Sequence, residues 1–71
     1  MKISIQQLRY LIATVSAGSI TGAAHALSVS QGTISEAISQ IESEAGVELF
    51  TRKRKPLVLT EPGEEFLGYA R

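Results

Sequence analysis

Four cationic side chains, Arg52, Lys53, Arg54 and Lys55, stand in an unbroken row and make up most of the seven that the chain carries. The seven carboxylates lie elsewhere, at Glu36, Glu42, Glu44, Glu48, Glu61, Glu64 and Glu65. The formal net charge is zero, so composition by itself suggests no polyanionic partner. A concentrated positive spot on a neutral chain can nevertheless hold a polyanion locally. A second polar set lies upstream: Gln31, Gly32, Thr33, Ser35, Glu36, Ser39 and Gln40. Hydroxyls and amides donate to phosphate oxygens or meet base edges, and a glutamine such as Gln31 can read an adenine bidentately. Gly32 lets backbone approach a partner closely, and amides at a helix N-terminus favour a phosphate. Each of these residues, taken singly, is also what a solvated helix face would show. The cationic row has its own bland reading, a charged turn that keeps an edge ribbon soluble. Four cations with no acid among them fit that reading poorly. Glu36 would be repelled by phosphates unless it accepts from a cytosine amino group, or it turns sideways to a cation of the protein. The sequence leaves both open.

Other chemistry finds little support. His25 is the only histidine and cysteine is absent, which excludes a disulfide framework and a thiolate metal site. No nucleophile–base pair and no phosphate-cradling loop is present, so no catalytic residue, cofactor or metal is expected. Seventy-one residues make one domain, which on folding buries about 60% of its unfolded surface and has little room for a deep cavity. The hydrophobic fraction of 44% is that of a globular chain. No apolar run approaches the ~20 residues of a membrane span, and Met1-Lys2-Ile3-Ser4 does not open a signal peptide. The expectation is a cytoplasmic protein with no membrane partner.

The elements that must position these residues are legible from periodicity. From about Ser4 to Ala17, Ile5, Leu8, Leu11, Ile12 and Val15 recur at the spacing of one helical face, with Ser4 as N-cap and Gly18 as stop. Ser19 or Thr21 can cap a second, alanine-rich helix over Gly22 to Leu27, too short to persist without packing. Leu27-Ser28-Val29-Ser30 is the break. A third helix follows from about Gln31 to Ala45, capped by Ser30 and ended by Gly46, with Ile34, Ala37, Ile38, Ile41 and Ala45 in one stripe. Val47 to Thr51 and Leu57 to Leu59 read as a two-stranded ribbon whose tip is the cationic row and Pro56. Thr60-Glu61-Pro62-Gly63 then opens a last helix with a hydroxyl cap, a first-turn proline and carboxylates at the positive end of the dipole.

The second and third helices satisfy the spacing of a helix-turn-helix. Counting from Ile20, the fourth, eighth, tenth, fifteenth and eighteenth places must face the core, and they are Ala23, Leu27, Val29, Ile34 and Ala37. Ala24 is the small residue at the crossing, while the turn position often held by glycine is Ser28. The competing reading is two ordinary amphipathic helices of a bundle. In a helix-turn-helix the third helix enters the major groove N-terminus first. Its outward set then joins Thr21 and Ser30, at the two helix starts, as the candidate contacts, and the ribbon's cations follow the backbone or enter a minor groove.

These residues also resemble the N-terminal domain of the LysR-type transcriptional regulators. The resemblance is carried by Leu8-Arg9-Tyr10-Leu11, Gly18-Ser19-Ile20-Thr21-Gly22-Ala23-Ala24, Leu27-Ser28-Val29-Ser30-Gln31 and Ile38-Ser39-Gln40-Ile41-Glu42. Gly46-Val47-Glu48-Leu49-Phe50-Thr51-Arg52 and Leu57-Val58-Leu59-Thr60-Glu61-Pro62-Gly63 extend it over nearly the whole chain. Leu49-Phe50-x-Arg52 followed by Thr60-x-x-Gly63 is its most specific part. The fold so implied is mainly α, a winged helix-turn-helix with a three-helix core, a two-stranded β wing and the start of a C-terminal linker helix. Residues 1–60 would form the DNA-binding domain, with the helix-turn-helix over about 20–39 and the wing over about 50–59, and 61–71 would begin the linker. The function implied is sequence-specific binding of double-stranded operator DNA by a bacterial regulator. Gln31, Thr33 and Ser35 fall where the family reads the groove, Arg52 matches its arginine before the wing, and Lys55 stands where it usually has a wing arginine. Phe66, Leu67 and Ala70 would form part of a homodimer surface, weak in so short a helix.

The chain departs from the family at several places. Glu36 stands where an arginine is common, which suggests an altered operator preference. Gly32 replaces a frequent proline, Gly22 and Ser39 replace frequent cations, and Leu11 and Ile20 replace common phenylalanines. Family members continue into a domain that takes a small-molecule inducer, so the expectation is a fragment that binds none itself. Two alternatives remain at this level. One is another winged-helix regulator such as the molybdate-responsive type; the other is a winged-helix protein-interaction module, which the neutral net charge favours.

Overall fold

Three serines and two glycines set most of the helix ends in the computed structural model, which describes residues 2–51 and 57–70, apart from the side chains of 69 and 70. Helix α1 runs Ile5–Ala17. Ser4 Oγ accepts the Gln7 N–H at 3.1 Å and Gln7 Oε1 accepts the Ser4 N–H at 2.8 Å, a reciprocal capping box. Gly18, at φ 74°, ends the helix in the left-handed region. Helix α2, Ile20–Leu27, begins two residues before the start expected from sequence, because Ser19 and not Thr21 is its cap: Ser19 Oγ accepts the Gly22 N–H at 2.9 Å. Helix α3 is Gln31–Ala45, capped by Ser30 and closed by Gly46 at φ 72°, as expected.

The ribbon is shorter than its apolar run suggested. Strand β1, Phe50–Thr51, pairs antiparallel with β2, Val58–Leu59, in the register Phe50↔Leu59 and Thr51↔Val58. Residues 47–49 do not extend β1, because the Leu49 N–H is diverted to α3 while its carbonyl alone keeps the ribbon register opposite Thr60. That N–H donates to Glu42 Oε2 at 2.9 Å, and the carbonyl accepts the Thr60 N–H at 2.9 Å. Helix α4, Glu61–Ala70, follows at once, with Thr60 Oγ1 accepting the Gly63 N–H at 3.0 Å.

The core lies where α1, α2 and α3 meet. Leu11, Ala23, Ala24, Ile34, Ala37, Ile38 and Ile41 are buried there, and Leu49, Phe50 and Leu67 close it from the side of the ribbon and α4. The alanines at 23 and 24 let α2 come close to its neighbours, as the spacing required. Periodicity erred at the helix ends. Leu27, assigned to the core, is 40% exposed because it ends α2 just where Ser28 turns the chain away. Ile5, the first residue of α1, is 79% exposed, and Ile12 faces outward beside Leu27. The residues of α1 that are buried are Leu11 and Thr14, and the Thr14 hydroxyl donates to the Tyr10 carbonyl at 2.8 Å and so enters the core satisfied. Val29 is half-buried against the core, and Leu67 turns into it. Leu67 is therefore unavailable to a second copy; of the three residues expected to form that surface, Phe66 is half-buried and the side chain of Ala70 lies outside the described residues.

Two substitutions test this account. Ser28 holds φ 56° and ψ 43° without being glycine, a conformation that costs an L-residue about 1 kcal/mol. Ser28→Gly should therefore stabilise the domain by up to about that amount, read as a rise in thermal midpoint of about 4–8 °C. Gly63 makes the opposite prediction. A Cβ there would overlap the Leu49 carbonyl oxygen and lie 3.1 Å from the Leu49 Cα. Helix propensity alone makes alanine the better residue, but overlap with backbone makes Gly63→Ala destabilising by about 1–3 kcal/mol. A urea midpoint that rises for Gly63→Ala would overturn the close approach of α4 to Leu49.

Candidate nucleic-acid interface

The buried stripe of α3, Ile34, Ala37, Ile38 and Ile41, fixes which side of the helix is left to solvent. Gln31, Gly32, Thr33, Glu36, Ser39 and Gln40 are exposed on that side, with Ser35 half-buried at its margin. The structure thus gathers this part of the predicted set on one helix. Thr21 is exposed in the first turn of α2, a separate helix start. Arg52, Lys53, Arg54 and Lys55 lie outside the described residues, but the ribbon at their base is well anchored. Phe50 is 2% exposed. The Leu57 N–H donates to the Gly18 carbonyl at 3.0 Å, and Thr51 Oγ1 donates to the Val58 carbonyl at 3.0 Å.

Hydrogen bonding divides the exposed residues into two kinds. Ser30 Oγ accepts the Thr33 N–H at 3.1 Å and shares a hydroxyl–hydroxyl bond of 2.8 Å with Thr33 Oγ1. Both hydroxyls are therefore tied into the cap, and whichever of the two accepts in the shared bond keeps its own O–H for an outside acceptor. The first amides of α3 point out of the helix end and carry its positive partial charge. Gly32 lies among them in open surroundings: a Cβ would meet only Ser30 Oγ, at 3.8 Å. The fold does not demand glycine at this position. Within the described residues Glu36 has a partner that the sequence did not suggest: its Oε1 accepts from the amide of Gln40 at 3.4 Å.

Residues that the sequence reading passed over support this face. Glu42 was counted only as a charge, yet its carboxylate accepts the Leu49 N–H and joins α3 to the ribbon. Gln7 bonds to Gln40 across the gap between α1 and α3. The Ser4-x-x-Gln7 capping signature was the available signal for Gln7; Gln40 was already in the outward set of the third helix, but nothing local announced its bond to α1 or that of Glu42 to Leu49.

A groove of about 460 Å³ opens between α1 and the α2–α3 turn, lined by Gln6, Arg9, Tyr10, Ile12, Ala13, Leu27 and Val29. Its lining holds no carboxylate or histidine. Among the described residues no three His, Asp or Glu side chains gather as a metal site, and no helix is long and apolar enough to cross a membrane.

The pattern described as "Bacterial regulatory helix-turn-helix protein, lysR family" matches residues 5–64. The chain belongs to the lysR family. Among curated lysR-like relatives, the RuBisCO operon transcriptional regulator of Allochromatium vinosum is 42% identical over 71 residues, 100% of this chain and 24% of that protein. Among solved structures, the BenM DBD in complex with catB site 1 DNA superposes with a TM-score of 0.90 at 35% identity, covering 96% of this chain and 73% of that one. The CbnR DBD in complex with DNA gives a TM-score of 0.90 at 38% identity, covering 97% and 79%. This lysR-family chain spans 22–24% of the length of the first curated relatives it matches. The fold is the winged helix-turn-helix that the sequence implied, mainly helical with a two-stranded antiparallel ribbon.

Because Gly32 has open space and a helical backbone, Gly32→Ala should raise stability by about 0.5–1 kcal/mol. A chemical-denaturation midpoint that falls would show a packing demand at position 32.

Proposed function

We propose that this chain is the DNA-binding domain of a bacterial transcriptional regulator, and that it acts by binding duplex DNA, not by catalysing a reaction. The observation that carries this reading is the superposition, at a TM-score of 0.90, on two family domains solved in complex with DNA. In this reading α3 enters the major groove N-terminus first. Gln31, Thr33 and Ser35 face base edges, Gly32 admits close backbone approach, and Thr21, Ser30 and Ser39 meet phosphates. Arg52, Lys53, Arg54 and Lys55 follow the backbone or enter the minor groove. Residues 1–60 form the reading domain, and 61–71 begin a linker helix through which two copies pair, with Phe66 offering apolar surface. The work is done in the cytoplasm, where the DNA is. A small-molecule inducer would be met by the part of the longer relatives that this chain does not span.

Fluorescence anisotropy with a mixed-sequence duplex, titrated from low to moderate salt, tests the reading. The log–log slope should be about −0.9 per neutralised phosphate. Alanine at all four ribbon cations should weaken binding to every sequence alike and make the slope shallower by about 3 to 4. A quadruple variant that binds as well as the parent would remove the ribbon from the interface. A folded parent that binds no duplex at low salt would favour the protein-interaction module instead.

A further inference from the structure

A backbone N–H can only donate, and the one on Ser4 starts a directed series of side-chain bonds that ends on the exposed face of α3. Its acceptor is Gln7 Oε1 at 2.8 Å, which fixes the carbonyl end of that amide toward the start of α1 and its NH2 end away from it. The Gln7 Nε2 donates to Gln40 Oε1 at 2.5 Å, crossing from α1 to α3. Gln40 is thereby oriented in turn. Its own Nε2 reaches one turn back along α3 and donates to Glu36 Oε1 at 3.4 Å. Each amide takes its orientation from the one before it. A carboxylate, which accepts and does not donate when ionised, is the group that fits the end of such a series.

We propose that Gln7 and Gln40 are positioning residues for base recognition, holding the Glu36 carboxylate by Oε1 so that its other oxygen is offered to the amino group of a cytosine. This rests on the DNA-binding reading above and goes beyond it by assigning a base preference to Glu36 and a cause for it on another helix. A glutamate in the major groove discriminates by accepting from cytosine N4. A flexible, unsupported carboxylate would be repelled by the flanking phosphates and would leave the groove. A donor held against Oε1 offsets part of that charge and restricts the side chain to one side of α3. Gln7 is half-buried between the two helices, so it touches no base itself. A purely structural role, stapling α1 to α3, would show in stability and leave sequence preference untouched.

The two roles separate through Gln7→Glu. Glutamate at the third helical position keeps the acceptor for the Ser4 N–H and therefore the capping box. It cannot donate to Gln40, whose amide is then driven to turn its oxygen toward Glu36. Gln7→Met removes the donor without adding charge. The parent and each variant are used to enrich a pool of randomised duplexes, and the enriched pools are sequenced. Glu36→Gln identifies the base pair that Glu36 reads, expected to be one where the parent selects cytosine. Both Gln7 variants should then lose preference at that same pair, by about fivefold or more, and at no other, with mixed-sequence affinity unchanged for Gln7→Met and lowered alike for all sequences by the added charge of Gln7→Glu. The proposal is overturned if Glu36→Gln leaves every position as in the parent. It is equally overturned if the Gln7 variants keep the parental cytosine preference or lose preference at all positions together. A folded parent that enriches no sequence would instead defeat the underlying reading of α3, and the proposal with it.

Discussion

The backbone of Leu49 is the constraint on which the arrangement of this domain depends. Its N–H is held by the Glu42 carboxylate from α3, its carbonyl by the N–H of Thr60, and Gly63 lies against that same carbonyl. The Leu49 side chain is meanwhile fully buried in the core. One residue thus joins the last turns of α3, the base of the ribbon and the first turn of α4. A hydrogen bond of this kind is worth only about 1 kcal/mol net, but leaving one buried partner unmet costs about 1–3. The three contacts at Leu49 therefore hold one another in place. The pairing of Leu49-Phe50 with Thr60-x-x-Gly63, which in the sequence is only a motif with a fixed interval, becomes a clasp with a reason for each residue.

That clasp gives the proposed function its geometry. A helix and a ribbon tip can engage one duplex together only if their relative orientation is fixed before binding; otherwise ordering them is charged against affinity. Here the ribbon is secured at three places. Leu49 ties it to α3, Phe50 plugs it into the core, and the Leu57 N–H reaches the left-handed turn at Gly18 between α1 and α2. Glycine at 18 holds its φ of 74° without the cost an L-residue bears there, and that turn presents the carbonyl which Leu57 uses.

Local signals made the helices legible. Ser4, Ser30, Gly18 and Gly46 act at the ends expected of them, because a cap is decided within four residues of chain. Burial was legible only on average. The 3.6-residue period put Ile5 and Leu27 in the core face, but each sits at a helix end where no neighbour covers it, while Thr14 was passed over as polar though its hydroxyl is satisfied within its own helix. The strands were overdrawn for a similar reason, since whether residues 47–49 pair depends on Glu42 and Thr60, distant in sequence. For the candidate site, the exposed side of α3 followed directly from its buried stripe. The partner of Glu36 did not, because it is set by a bond network that begins on another helix.

The neutral net charge, which in the sequence spoke against a nucleic-acid partner, takes a different meaning once the charges are placed. Helix α3 carries Glu36, Glu42 and Glu44 and no cation, whereas residues 52–55 of the sequence are four cations with no acid among them. Charges farther apart than about 8 Å are largely screened at physiological salt, so a partner responds to the local charge and not to the sum over the chain. Under the proposed reading the phosphate attraction comes from the ribbon and from the amides at the start of α3, while the body of α3 contributes little affinity of its own. A reading helix with an arginine at position 36 would gain from any phosphate nearby and hold many sequences. One with a glutamate there loses on every sequence that does not supply a donor to it. The replacement trades non-specific affinity for discrimination, and a carboxylate can serve that end only if something within the protein holds it in place.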